Sequence, residues 1–229
     1  MAVDFDVFNR LATRCSEVVT EAGASPVLVS VYQKSSEQPL TRFADAHTAV
    51  ERGEVRENKA RNNLDKTLEE MDPLFRMARS AVAAVLPEEV LPDTLKMQPT
   101  DTDKRNAISK LLGIISKHGG EAWADTLLQG DFGQKAPIAE QQLNEAIEAS
   151  NAVQKARSDR AAAFDPAWGA FLKFKRLVRD TYGATSKQYR RLRLRTSAAA
   201  VSEDVPPEAG EEESDAPDAP ESEAAPSVG

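Results

Sequence analysis

FADAHTAVERGEVRENKARNNLDKTLEEM, residues 43–71, decides the fold. It holds no proline, and Ala46, Val50, Gly53, Glu57, Ala60, Leu64, Thr67 and Met71 recur at alternating spacings of four and three. That is the period of a coiled-coil seam, here filled with weak occupants. A helix of this kind touches its partner along a narrow line. A second stretch of similar length, PIAEQQLNEAIEASNAVQKARSDRAAAF at 137–164, repeats the spacing through Ala139, Leu143, Ala146, Ser150, Val153, Arg157, Arg160 and Phe164. Its Ala, Glu, Gln, Lys and Arg favour helix intrinsically. Two such stripes predict an all-α, elongated bundle built on two long antiparallel helices.

Outward from the first stripe, Asp72-Pro73 fits either a cap with proline in the first turn of a new helix or a continuation through a kink. Leu74, Phe75, Met77, Ala78, Ala81, Val82, Val85 and Leu86 carry a more apolar face up to Pro87. Towards the N-terminus, residues 4–22 repeat Phe5, Phe8, Leu11, Ala12, Cys15, Val18, Val19 and Ala22 at helical spacing, with Asp4 as cap and Gly23 as stop. Val27 to Tyr32 is the one stretch with strand propensity. It reads as an extended segment lying along helices, as a helical turn, or as an edge pairing with another subunit.

Residues 87–102, with Pro87, Pro92 and Pro99, read as connector. Asp103 or Thr102 is expected to cap the next helix, which carries Ile108, Leu111, Leu112, Ile114, Ile115 and His118. Trp123, Leu127 and Leu128 support a short helix ended by Gly130 and Gly133, and the last long helix is expected near Ala136-Pro137. Asp165-Pro166 permits a fresh helix or a kink, Gly183 a stop, and Ser186 a cap for a short helix with Tyr189, Leu192 and Leu194. The main apolar contacts are expected at one end, where Phe164, Trp168, Phe171, Phe174, Leu177, Val178 and Tyr182 meet 74–86, 108–115 and the first helix. The shorter helices therefore pack near that end, and 1–197 forms a single helical domain.

The 229 residues include 29 Lys and Arg against 37 Asp and Glu. That net charge of −8 is unevenly spread. Residues 171–195 carry nine basic residues against Asp180 alone, whereas 201–229 carry ten acidic residues and no basic one. From 198 onward Ala, Ser, Pro and acidic residues offer little to bury, which predicts a disordered acidic tail. Met1-Ala2-Val3-Asp4-Phe5-Asp6 lacks the basic start and apolar run of a secretory signal, so a cytoplasmic protein is expected. No apolar run suits a bilayer span, so no membrane partner is expected. Cys15, the lone cysteine, reads as a small buried thiol.

Catalytic signals are sparse. His47 and His118 are the only histidines, and no HExxH, CxxC or Glu-x-x-His pattern is present. Asp72, Asp101 and Asp103 read as caps or connector residues, and Glu51, Glu54 and Glu57 drift around a helix surface. An unconventional carboxylate site that also involves Asp125, or a site within 87–133, is the enzyme alternative. Gly119-Gly120 and Gly-Asp-Phe-Gly at 130–133 match neither phosphate-binding fingerprint. No catalytic residue, metal ligand or cofactor is therefore assigned.

Lys173, Lys175, Arg176, Arg179, Lys187, Arg190, Arg191, Arg193 and Arg195 are the candidate contacts to an anionic partner. The interleaved Phe171, Phe174, Leu177, Val178 and Leu192 give the same segment a structural reading, with basic stems shielding an apolar face. The function expected is a non-enzymatic structural or protein-interaction module of helical-hairpin type, with a protein partner or self-association. The alternative is nonspecific nucleic-acid binding through 173–195, masked by the acidic tail.

Overall fold

The structure is a computed structural model that describes residues 4–193, and every element among the described residues is helical. Leu194, Arg195 and the acidic stretch 198–229, with the disorder expected of it, lie outside the described residues. Helix α1 (Phe5–Thr20) begins where Asp4 accepts the Asp6 N–H at 2.8 Å. It ends just before Gly23, whose φ of 86° lets the chain reverse.

Of the three readings of 27–32, the helical one is found. Helix α2 (Pro26–Val31) opens with Pro26 in its first turn and runs through a π turn, Tyr32–Ser36, into α3 (Glu37–Val85). Leu28, Tyr32, Ser36 and Leu40 are all buried, whereas Val27 and Val31 face outward. A strand would have grouped Val27, Val29 and Val31 on one face, so burial at spacing four overrides the β-branched composition. Four-residue steps drift by about 40° in an α-helix. The wider π turn absorbs that drift, keeping these four residues facing inward.

At Asp72-Pro73 α3 continues unbroken, and Asp72 caps no new helix. The connector holds a 3-10 turn at Leu95–Met97 and leads into α4 (Asp101–Lys117). Here the expected cap is corrected: Thr100, not Thr102 or Asp103, accepts the Asp103 N–H at 3.1 Å. Its hydroxyl also donates to the Asp103 carboxylate at 2.6 Å, an exchange that needs cap and carboxylate three residues apart.

Helix α5 (Ala122–Gln129) joins α6 (Asp131–Tyr182) through Gly130 alone. The long helix therefore starts six residues before the expected Pro137, and Gly133 lies inside it rather than ending α5. A Cβ on Gly133 would sit 2.0 Å from the Leu128 carbonyl oxygen, so glycine permits the tight join. Pro166 starts no new element. After Gly183, Ser186 caps α7 (Lys187–Arg191) by accepting the Tyr189 N–H.

Contacts between α3 and α6 run in opposite order along the chain. Phe43 meets Phe164 at 6.0 Å between ring centroids, Glu54 meets Arg157 at 2.7 Å, and Glu70 meets Lys135 at 2.7 Å. The 52 residues of α6 extend over about 78 Å.

The expected single apolar end is corrected: two cores form, and short helices pack on both. One core gathers Phe8, Leu11, Cys15, Leu28, Tyr32 and Phe43 with Phe171, Phe174, Val178 and Leu192. The other gathers Phe75, Val82, Ile108, Leu111 and Ile115 with Phe132, Ala136 and Leu143. Residues 74–86 and 108–115 thus meet the start of α6, not Phe164–Tyr182. The opposite contact order requires this, because the end of α3 can reach only the beginning of α6.

Between the cores the seam is thin. No residue of 51–63 in α3, and none of 154–162 in α6, is buried. Gly53 allows close approach there, since a Cβ on it would lie 3.0 Å from a Val153 methyl carbon. Gly53→Leu is expected to cost about 1–3 kcal/mol by overpacking. Urea titration should show the loss, and adding Val153→Ala should recover most of it. Absence of recovery would place the cost elsewhere.

Candidate partner-binding surfaces

The nine basic candidates divide according to what holds them. Lys173, Lys175, Arg176 and Arg179 lie on the last turns of α6, and Lys187, Arg190 and Arg191 on α7, with Arg193 just beyond it. Arg195 lies outside the described residues.

Three of these side chains are occupied structurally. Arg191 pairs with Glu21 of α1 at 3.7 Å, and its carbonyl accepts from Arg14 at 3.2 Å. Gln188 also donates to Glu21, and the buried Leu192 adds the apolar half of this docking. Arg179 pairs with its neighbour Asp180 at 3.0 Å. Lys175 is half-buried, its ammonium 5.7 Å from the Phe171 ring centre and 5.8 Å from that of Tyr189. Burial, and then the charge of Arg193, pull the Lys175 ammonium below its ordinary pKa. Lys173, Arg176, Lys187, Arg190 and Arg193 are exposed and have no carboxylate partner among the described residues. Tyr182 is no free stacking platform, because its hydroxyl accepts the Ser25 N–H at 2.9 Å.

Histidines and carboxylates are spread over separate local contacts. His47 is buried, with Nε2 at 3.3 Å from Asp6 and 3.7 Å from Glu51, its ring stacked 6.0 Å from Phe43. His118 meets Glu121 at 2.8 Å, and Glu121 also accepts from the Trp123 indole at 2.7 Å. Those bonds, His118 first, hold the Glu121 carboxyl below its ordinary pKa. Glu54 and Glu57 pair with Arg157 and Arg61, Asp101 with Lys104 and Arg61, and Asp125 accepts the Gly120 N–H. Among the described residues, no three His, Cys, Asp or Glu side chains converge as metal ligands. Cys15 is buried, which pushes its thiol up and, with it, the Tyr32 phenol to about 12, the latter chiefly by burial.

Asp72 has a role that its place in the sequence did not suggest. Only 2% exposed, it accepts from the Thr94 hydroxyl, from the Leu95 N–H at 2.9 Å and from the Lys96 N–H at 3.4 Å. The carboxylate of α3 thus caps the connector turn from across the fold. Asp72 falls between Leu68 and Phe75 on the inward stripe, and a charge there was the available signal for a buried partner.

The turn borders an open groove of about 360 Å³ lined by Asp65, Leu68, Glu69, Leu95, Lys96 and Lys104. Its two carboxylates and two ammonium groups concentrate neither sign of charge. Exposed apolar side chains group at both ends of the long pair, Val27, Val31 and Leu172 beside one core and Met77, Val85, Val90, Met97 and Ile138 beside the other, with Val55 standing singly between them. No helix among the described residues is long and apolar enough to cross a membrane. Comparison of the chain with protein-family models, with curated proteins and with solved structures finds no match, so the functional reading rests on these surfaces.

Proposed function

We propose that the chain is a non-enzymatic scaffold whose paired long helices hold two docking ends apart for protein partners. The observation that carries this reading is the separation of two apolar cores by a polar two-helix section. Over Val50 to Leu64 that section extends α3 by about 21 Å. A spacer needs rigid ends and a soluble middle, and the exposed Val27 and Val31 at one end and Met77 and Val85 at the other supply contact points.

Photo-crosslinking amino acids placed at Val27 and at Met77 in the native cell test this. Discrete adducts of defined mass are expected from each position, and they should disappear with Val31→Glu and Val85→Glu respectively. Free monomer alone at both positions would end the scaffold proposal.

A second reading, nonspecific nucleic-acid binding, is favoured by the five exposed cations without carboxylate partners at the end of α6 and on α7. Each phosphate contact lowers log K by about 0.9 per unit of log salt concentration. Five contacts would give a slope of about −4.5 for a duplex oligonucleotide and about −3.5 for a single-stranded one, where each contact counts about 0.7. A flat salt response rejects this reading and leaves the scaffold as it stands.

A further inference from the structure

We infer that the groove lined by α3, the Leu95–Met97 turn and α4 is a binding site for a small dipolar molecule, a free α-amino acid or dipeptide with an apolar side chain. Its volume of about 360 Å³ falls within the range of small-ligand sites. One stripe of α3 builds a whole wall. Arg61, Asp65, Leu68, Glu69 and Asp72 recur at helical spacing over a rise of about 17 Å and so share one face.

Both ends of that stripe are already engaged. Arg61 reaches Asp101 in the first turn of α4 at 3.6 Å, and Asp72 holds the connector turn through the Leu95 N–H at 2.9 Å. The other walls are therefore fixed to α3 before any ligand arrives, which spares binding the cost of ordering them.

Between these anchors the charges stay apart. Asp65 and Glu69 are exposed, stand one turn apart and have no cationic partner among the described residues. Like charges at that spacing repel, and no contact inside the described fold offsets the repulsion. Lys96, on the turn, has no carboxylate partner among the described residues either. Lys104 pairs with Asp101 at 3.0 Å, which occupies one of the three donors of its ammonium. Carboxylates from α3 and ammonium groups from the turn and α4 thus line one groove without meeting.

That pattern selects the ligand. A cation gains Asp65 and Glu69 but is repelled by Lys96 and Lys104, and an anion meets the converse. A molecule bearing both an ammonium and a carboxylate satisfies both sets, while Leu68 and Leu95 give its side chain an apolar lining. The scaffold reading does not depend on this site, because its cross-links come from Val27 and Met77.

Titration of the full chain with L-leucine, followed by methyl and amide NMR, tests the inference. Saturable shifts are expected at the Leu68 and Leu95 methyls and at the amides of Glu69, Lys96 and Lys104, with half-saturation in about the millimolar range. L-leucinamide lacks the carboxylate and N-acetyl-L-leucine lacks the ammonium. Each should bind at least about 3-fold more weakly than L-leucine, the scale set by one exposed ion pair. Asp65→Asn with Glu69→Gln should weaken L-leucine and L-leucinamide but not N-acetyl-L-leucine. Lys96→Met should weaken L-leucine and N-acetyl-L-leucine but not L-leucinamide. A merely structural role for these side chains would not produce that exchange of preference. Lys155→Met with Asp159→Asn, which removes a remote ion pair on α6, should change nothing. Amides of Ile108 and Phe132 in the adjacent core report in the same spectra that each variant is folded. Shifts that never saturate, equal binding of all three ligands, or variants that weaken all three alike would overturn the site.

Discussion

Phe8→Ala is expected to remove about 3–5 kcal/mol from one half of the molecule and almost nothing from the other. Phe8 is fully buried and its ring meets Phe43 at 4.8 Å, Phe164 at 5.2 Å, Trp168 at 5.5 Å and Phe171 at 5.8 Å. Deleting it leaves a cavity at the point where α1, α3 and α6 converge, and neighbours locked edge-to-face cannot easily close it. The second core shares none of these rings. Between them lie 51–63 and 154–162, without a buried residue to transmit the loss. Hydrogen exchange provides the measurement: amides of 8–47 and 163–178 should lose protection, while those of 71–82, 107–115 and 132–146 keep theirs. Uniform loss across both sets would mean that the long helices couple the cores into one cooperative unit, and the spacer argument would weaken with it.

How much of this arrangement was legible beforehand depends on the element. The helical stripes at 43–71 and 137–164 were readable because a four-and-three spacing has few other meanings in a proline-free run. Capping by Asp4 and Ser186 was likewise local and visible. The start of α6 was not, because Pro137 resembles a first-turn proline and only the close approach of Gly133 to Leu128 reveals that the helix began earlier. Residues 27–32 looked ambiguous since Val, Leu and Tyr suit both a strand and an inward-facing helix. Packing of Leu28 and Tyr32 against the α6 side of the core decides between them, and that lies in tertiary contacts.

Two cores in place of one expose a different limit. Apolar clusters at 74–86 and 164–182 appear equally able to meet when each is considered alone. Once Glu70 is set beside Lys135, the helix direction forbids it. Among the basic candidates, charge alone could not separate Arg191, which holds α7 onto α1, from Arg190, which faces outward. That distinction depends on Glu21, some 170 residues earlier in the chain and invisible to any local pattern.

Asp72→Ala is expected to destabilise the protein by about 2–3 kcal/mol and to open the connector to proteolysis between 87 and 100. Alanine leaves the Leu95 N–H buried without an acceptor and takes from the Thr94 hydroxyl and the Lys96 N–H the oxygen they share. Arg76, 3.1 Å away, adds charge attraction but is itself well exposed, so the hydrogen bonds carry most of the effect. Burial pushes the Asp72 carboxyl upward, yet the bonds from Thr94, Leu95 and Lys96, with Arg76, outweigh it and hold the pKa below the ordinary 3.8. A depressed carboxylate contributes stability that is complete above its unfolded value and is lost as pH falls through its folded value. Wild-type chain should therefore lose this contribution only below about pH 4, on the acid limb of a denaturation profile. Asp72→Asn keeps an acceptor for Leu95 without the charge. It should cost about 1 kcal/mol at neutral pH and flatten that part of the acid limb. Limited proteolysis at neutral pH orders the variants as alanine, then asparagine, then wild type, from fastest to slowest cleavage. Equal cleavage of all three would mean that Lys110, bonded to the Val90 carbonyl at 2.8 Å, and the Arg79–Asp93 pair anchor the connector without help from α3.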